Sequence, residues 1–182
     1  MALRSTIYRA DLSVSDLDRQ VYGEHALTLA RHPSETEERL MVRLLAFAMH
    51  ADQALEFGRG LSADGEPDLV RRDPTGAVDL WIEVGLPDER DVRKACGRAR
   101  EVVVLAYGAR RVESWWSDNA AAFMRQSNLR VLTLTGEETA ALQTLAARSM
   151  SLTFTMQEQH IWLASSDSTV ELAPACRMAS PK

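Results

Sequence analysis

The 182-residue chain is 46% hydrophobic and 26% charged, which suits one ordinary globular domain with a core of its own and is too short for two comfortable ones. Its formal charge of −5 and pI near 5.4 argue against a nonspecific coat for nucleic acid, which needs an excess of Lys and Arg, and leave room only for a local basic groove. The opening MALRSTIYRADL lacks the apolar core of a signal peptide and no apolar run approaches membrane-spanning length, so a cytoplasmic location with no membrane partner is expected.

In chain order, STIYRADLSV alternates well enough for a strand, with HALTLAR as its partner. SETEERLMVRLLAFAMHADQAL reads as the clearest helix: Ser34 and Glu37 have capping-box spacing, and Leu40, Met41, Leu44, Leu45, Ala48 and Leu55 make an apolar stripe. Glu35, Arg39 and Arg43 fall at i, i+4 and i+8, which predicts a solvated face. Strand candidates LEFGRGL, EPDLV and AVDLWIEVG follow, and DPTG between the last two has the residue types of a tight turn, predicting a hairpin. Pro87 and Asp88 should open a second helix with an acidic first turn and an apolar side of Val92, Ala95, Cys96 and Ala99.

EVVVLAYG is a compact apolar run of the kind buried on both faces of a sheet. A helix containing VESWWSDNAAAFM, a strand LRVLTLT and a helix EETAALQTLAAR come next. The tail alternates again as SLTFTMQ and HIWLAS, separated by Glu158 and Gln159, then TVELA. The order predicts an α/β or α+β domain with a mixed sheet flanked by helices.

Cys96 and Cys176 form no C-x-x-C pair and read as reduced structural thiols, while the four scattered histidines lack zinc-site spacing. GRGLSADG has neither dinucleotide nor Walker spacing and reads as a strand followed by a turn. Trp115 and Trp116 could stack bases, yet an aromatic pair within a helix is more often core.

The segment DLWIEVG poses the chemical question. Its even residues Leu80, Ile82 and Val84 are the evident core face, and its odd residues Asp79, Trp81 and Glu83 are either wet or a site. A hairpin would bring Asp68 toward Glu83, while Glu38 borders the stripe of the capped helix and Glu37 is nearly as well placed. Converging carboxylates of this kind suit Mg²⁺ or Mn²⁺, which polarises a phosphoryl oxygen and activates water. The bland alternative pairs Asp79 and Glu83 with nearby arginines on a solvated face.

A helix bearing a Glu, then Pro67-Asp68, a turn and Glu83-Val84-Gly85 resembles the PD-(D/E)XK nuclease layout. More closely, LTLARHPSETEERLMVRLLAFA, RGLSADGEPDL, DLWIEVGLPDERDVRKAC and the Trp115-Trp116 pair resemble the YaeQ family over nearly the whole chain. That resemblance implies a restriction-endonuclease-like core over about residues 34–135 of one domain spanning 1–182, with extra β elements over about 4–31 and 151–173. Carried over residue by residue, it implies Glu38, Asp68 and Glu83 as metal ligands; Asp79 has no place in that motif, but it shares Glu83's face and could be an extra ligand or a partner for Arg. The superfamily lysine falls on Gly85, and Lys94 on the next helix is the substitute base or phosphate anchor, in a row with Arg90 and Arg98.

Two functions follow as expectations. One is a Mg²⁺- or Mn²⁺-dependent phosphodiesterase or nuclease acting on nucleic acid or another phosphodiester, with Glu38, Asp68, Glu83 and Lys94 as its catalytic residues. The other is a non-catalytic binding or regulatory module that keeps the fold. Lys94 beside the carboxylates favours the first, and Lys94 in bulk solvent favours the second.

Overall fold

The computed structural model describes residues 4–58 and 65–179. In chain order the elements are β1 (Thr6–Asp16), β2 (Val21–Arg31), α1 (Glu37–Met49), β3 (Leu55–Phe57), β4 (Leu69–Arg72), β5 (Val78–Val84), α2 (Glu89–Cys96), β6 (Ala99–Ala106), α3 (Arg111–Phe123), β7 (Leu129–Thr133), α4 (Gly136–Gln143), β8 (Ser149–Gln157), β9 (His160–Ala164), β10 (Thr169–Leu172) and β11 (Ala175–Met178). This is an α+β chain with two mixed sheets. They belong to two compact units: residues 1–53 with 137–174, and residues 54–136 with 175–182. Among the described residues no helix is long and apolar enough to cross a membrane.

The first unit holds the sheet β10-β9-β8-β1-β2. β1 and β2 pair antiparallel over their full length, as the alternating sequence predicts. β8 then lies parallel to β1, with Arg9 opposite Ser149 and Asp16 opposite Met156. The β8–β9 reversal at Glu158 and Gln159 uses positive φ values of 51° and 65°, the backbone of a two-residue hairpin turn. Both residues' amides donate to Asp18, at 2.7 and 2.9 Å, which ties this turn to the β1–β2 turn.

α1 departs from its sequence reading in two ways. Its N-cap is Thr36, whose hydroxyl accepts from the Arg39 amide at 3.1 Å, so the Ser34–Glu37 capping box does not form. Ser34 instead hydrogen-bonds the His32 ring at 2.6 Å, and Glu37 accepts the Tyr8 hydroxyl at 2.8 Å. Nor is Glu35 with Arg43 a solvated face. Both are buried, and Arg43 Nη1 donates to the Glu35 oxygens at 2.8 and 3.0 Å, with Arg39 adding a contact at 3.2 Å. Every residue from Leu40 to Met49 is buried, so a charge on any face of that stretch needs an internal partner.

The second unit holds the sheet β11-β7-β6-β5-β4-β3. β3, β4 and β5 form the antiparallel meander expected from EPDLV, DPTG and AVDLWIEVG. In the DPTG turn Asp73 accepts from the Thr75 hydroxyl and from the Thr75 and Ala77 amides. The Thr75 hydroxyl is the main reason its carboxyl is held below the ordinary range. β6 runs parallel between β5 and β7 and buries Val102 to Ala106 on both faces, as its apolar run requires. The stretch GRGLSADG, Gly58 to Gly65, lies largely outside the described residues, and β3 ends just before it at Phe57.

Candidate functional site

β5 is a central strand, and this corrects the reading of its odd face. Trp81 is 5% exposed and sits in the core with Val92 and Ala95 of α2, Val102 and Val104 of β6, and Trp115 and Phe123 of α3. A strand flanked on both edges and covered by helices has no purely wet face. Trp115 and Trp116 belong to the same packing, with the Trp115 indole N–H donating to the Pro87 carbonyl at 2.7 Å. They are core rather than base-stacking residues.

The carboxylates of the second unit have definite partners. The strand pairing of the hairpin ends at Leu69 opposite Ile82, and the Asp68 amide donates to the same Ile82 carbonyl at 2.9 Å, so the ladder does not run on regularly to an Asp68–Glu83 pair. Asp68 and Glu83 stand at the same end of the hairpin, each with a partner of its own. Asp68 is buried, and its Oδ2 accepts the Val84 amide at 2.7 Å, extending the ladder one step past its last backbone pair. Glu83 accepts the Trp81 indole N–H at 2.7 Å. Asp79 is paired with Arg71 at 2.6 Å and approached by Arg100 at 3.9 Å, the arginine-partner role rather than a cluster with Glu83. Among the described residues no group of three His, Cys, Asp or Glu side chains is gathered as a metal site would need. Glu38 lies in the first turn of α1, partly exposed, and belongs to the first unit.

Gly85 occupies the position where the nuclease lysine is expected, and its φ is +111°. L residues rarely adopt that backbone. A Cβ there would meet nothing closer than Tyr107 at 4.0 Å, so conformation rather than space is what disfavours a side chain. Lys94 is 45% exposed and pairs with Asp91 at 3.6 Å, one turn back on α2. Arg93 pairs likewise with Glu89 at 3.2 Å. The predicted row ends early, because α2 stops at Cys96 and Ala99 begins β6. Arg98 instead lies beyond the helix, where it reaches the Gly65 carbonyl at 3.5 Å.

Sequence reasoning missed the cleft beside the meander. It has a volume of about 620 Å³, with Phe57 and Trp81 among its walls, Arg72 and Arg98 as its cations and Glu56 and Glu66 as its acids. No motif marks it, because its residues come from four separate segments.

Cys96 is half-buried, and burial pushes its thiol up to about 11, whereas Cys176 is exposed. The thiolate is the reactive form. With a disulfide reagent at pH 8, Cys176 should react promptly and Cys96 only slowly. Two thiols titrating at one rate would contradict this environment for Cys96.

Comparison with known proteins places this geometry. The family described as YaeQ protein matches residues 1–174. YaeQ of Escherichia coli K12 is 46% identical over 172 residues, covering 94% of this chain and 95% of that protein, and YaeQ of Salmonella typhi shares the same identity and coverage. The crystal structure of YaeQ protein from Xanthomonas axonopodis pv. citri superposes with a TM-score of 0.94 at 53% identity, over 96% of this chain and 99% of that one. That of YaeQ protein from Pseudomonas syringae gives 0.91 at 34% identity, over 96% and 97%. The family match and the extent of these likenesses establish that the chain belongs to the YaeQ family.

Proposed function

We propose that this protein is a non-catalytic binding module on a nuclease-like core, and that its ligand is a phosphodiester chain such as a nucleic acid end. The chain order supports the nuclease-like reading: a helix, the β3–β4–β5 meander, α2 and then a parallel strand. Fold alone does not confer chemistry. The observation that carries the non-catalytic reading is Gly85, held at φ +111° where catalysis would need a lysine. The surroundings agree. Lys94 is engaged by Asp91 on an exposed helix face, and Asp68 spends an oxygen on the Val84 amide. The two guanidiniums of the cleft and the partly exposed ring of Phe57 are the groups that bind phosphate and a base face.

A second reading is the Mg²⁺- or Mn²⁺-dependent phosphodiesterase, for which Asp68 and Glu83, at the same end of the β4–β5 hairpin, would be the acids. Mg²⁺ is commonly held by one or two carboxylates with water filling the other positions, so these two would hold it. Bound there, the ion would supply Lewis-acid activation of a phosphoryl oxygen.

The two readings separate by experiment. Fluorescence anisotropy with a labelled single-stranded oligonucleotide should show salt-sensitive binding that Arg98→Glu weakens by about tenfold. Mn²⁺ calorimetry should show no stoichiometric site, and the oligonucleotide should remain intact. Metal-dependent cleavage abolished by Glu83→Ala would replace the module with the hydrolase. Absence of any oligonucleotide binding would remove the proposed ligand class.

A further inference from the structure

Edge strands expose unpaired backbone groups, and proteins usually blunt them with short strands, bulges, proline or charge. Three of the four sheet edges among the described residues are short: β3 has three residues, and β10 and β11 have four each. The fourth is β2, with eleven residues, no proline and no register shift along its pairing with β1.

The direction of the β2 backbone follows from the ladder. The Arg9 amide donates to the Arg148 carbonyl on the β8 side, so the odd residues of β1 face β8 and its even residues face β2. Their partners Val21, Gly23, His25, Leu27 and Leu29 face back to β1. The amides and carbonyls of Tyr22, Glu24, Ala26 and Thr28 therefore point outward, and among the described residues no hydrogen bond claims them. The Ala30 carbonyl receives a long contact from Arg43 at 3.5 Å. The side chains of these even residues are exposed, with Tyr22 at 63%.

We propose that the outer edge of β2 pairs antiparallel with β2 of a second copy, about a two-fold axis at Ala26. Outward groups pair only with outward groups, so even residues must face even residues. Centring on Ala26 sets Tyr22 against Ala30 and Glu24 against Thr28, and uses the longest outward run. Centring on Glu24 would oppose two carboxylates, a destabilising arrangement.

The side chains fit this register. Along one row across the strands lie Ile7, Ala30, the second copy's Tyr22 and its Ser15. The tyrosine thus lies over a small residue and beside Ile7, which is 47% exposed. Each copy contributes one such pair, so the axis covers two exposed apolar sites twice. The next row sets Arg9 and Thr28 beside the other copy's Glu24, a cation and a carboxylate with a hydroxyl between them. Glu24 is already turned inward by the Ser13 hydroxyl at 2.7 Å, so it does not guard the edge. An isologous contact of this kind closes on itself and yields a dimer rather than a filament.

Sedimentation equilibrium should show a reversible dimer of the full chain. Ala26→Lys puts two ammonium groups opposite each other at the axis and should weaken dimerisation at least about tenfold. Its melting temperature in the monomer should stay that of the wild type, since the side chain is exposed. Ala26→Cys in a Cys176→Ser background should form a disulfide-linked dimer under mild oxidation, because directly hydrogen-bonded pairs lie about 5.5 Å apart at Cα. Thr28→Cys in that background should not. A wild type that sediments as a monomer up to its solubility limit overturns the proposal. So does a dimer that Ala26→Lys leaves intact, or equal cross-linking at positions 26 and 28.

Discussion

Glu35→Ala is expected to destabilise the protein by about 3–5 kcal/mol, because it leaves the buried Arg43 guanidinium without its carboxylate. Arg43 is 1% exposed and Glu35 2% exposed, so water does not replace the lost partner. The cluster also joins strand to helix: Arg31 donates to the Glu35 carbonyl at 2.9 Å, and the His32 amide reaches the Glu35 carboxylate at 3.3 Å. Replacing both charges, as Glu35→Leu with Arg43→Met, should recover most of the loss, since matched apolar groups avoid the cost of desolvating an ion pair. Urea unfolding of the two single variants and the double variant measures this as a cycle. A loss below about 1 kcal/mol for Glu35→Ala would mean the pair behaves like an exposed one.

Asp68→Ala should cost about 1–3 kcal/mol even with metal chelated, because the buried Val84 amide loses its acceptor. Asp68→Asn keeps a carbonyl oxygen at the same place and should cost markedly less. A purely metal-binding aspartate would behave otherwise, since in chelator neither change would matter to stability. Thermal melts in excess EDTA distinguish the roles. An Asp68→Ala protein that melts with the wild type would return Asp68 to a ligand role alone.

The sequence carried local structure well wherever one signal governed it. Alternation in β1 and β2, turn chemistry in DPTG and the Val102–Leu105 run each had a single physical reading, and each element formed. It misled where the outcome depended on what covers an element. Glu35 and Arg43 have the spacing of a surface pair, and only the burial of α1 on every side makes them an internal one. Trp81 lies on the polar-looking side of β5, yet α2 and α3 cover it. Ser34 has the spacing of a capping box, yet it bonds the His32 ring and Thr36 caps the helix. Of the candidate site, the hairpin and an arginine partner for Asp79 were legible in the sequence. The φ of Gly85 and the cleft were not, because neither is encoded by residue type alone.

The parallel pairing of β1 with β8 sets a timetable for synthesis. The β1–β2 hairpin can close as soon as residue 31 has left the ribosome, but the strand that completes its other side begins at Ser149. Throughout that interval β1 presents an open edge too, while the whole second sheet except β11 is being made. The nascent chain therefore carries two unsatisfied strand edges where the described residues of the finished protein leave one long one, and the wait is fixed by gene order rather than by folding speed.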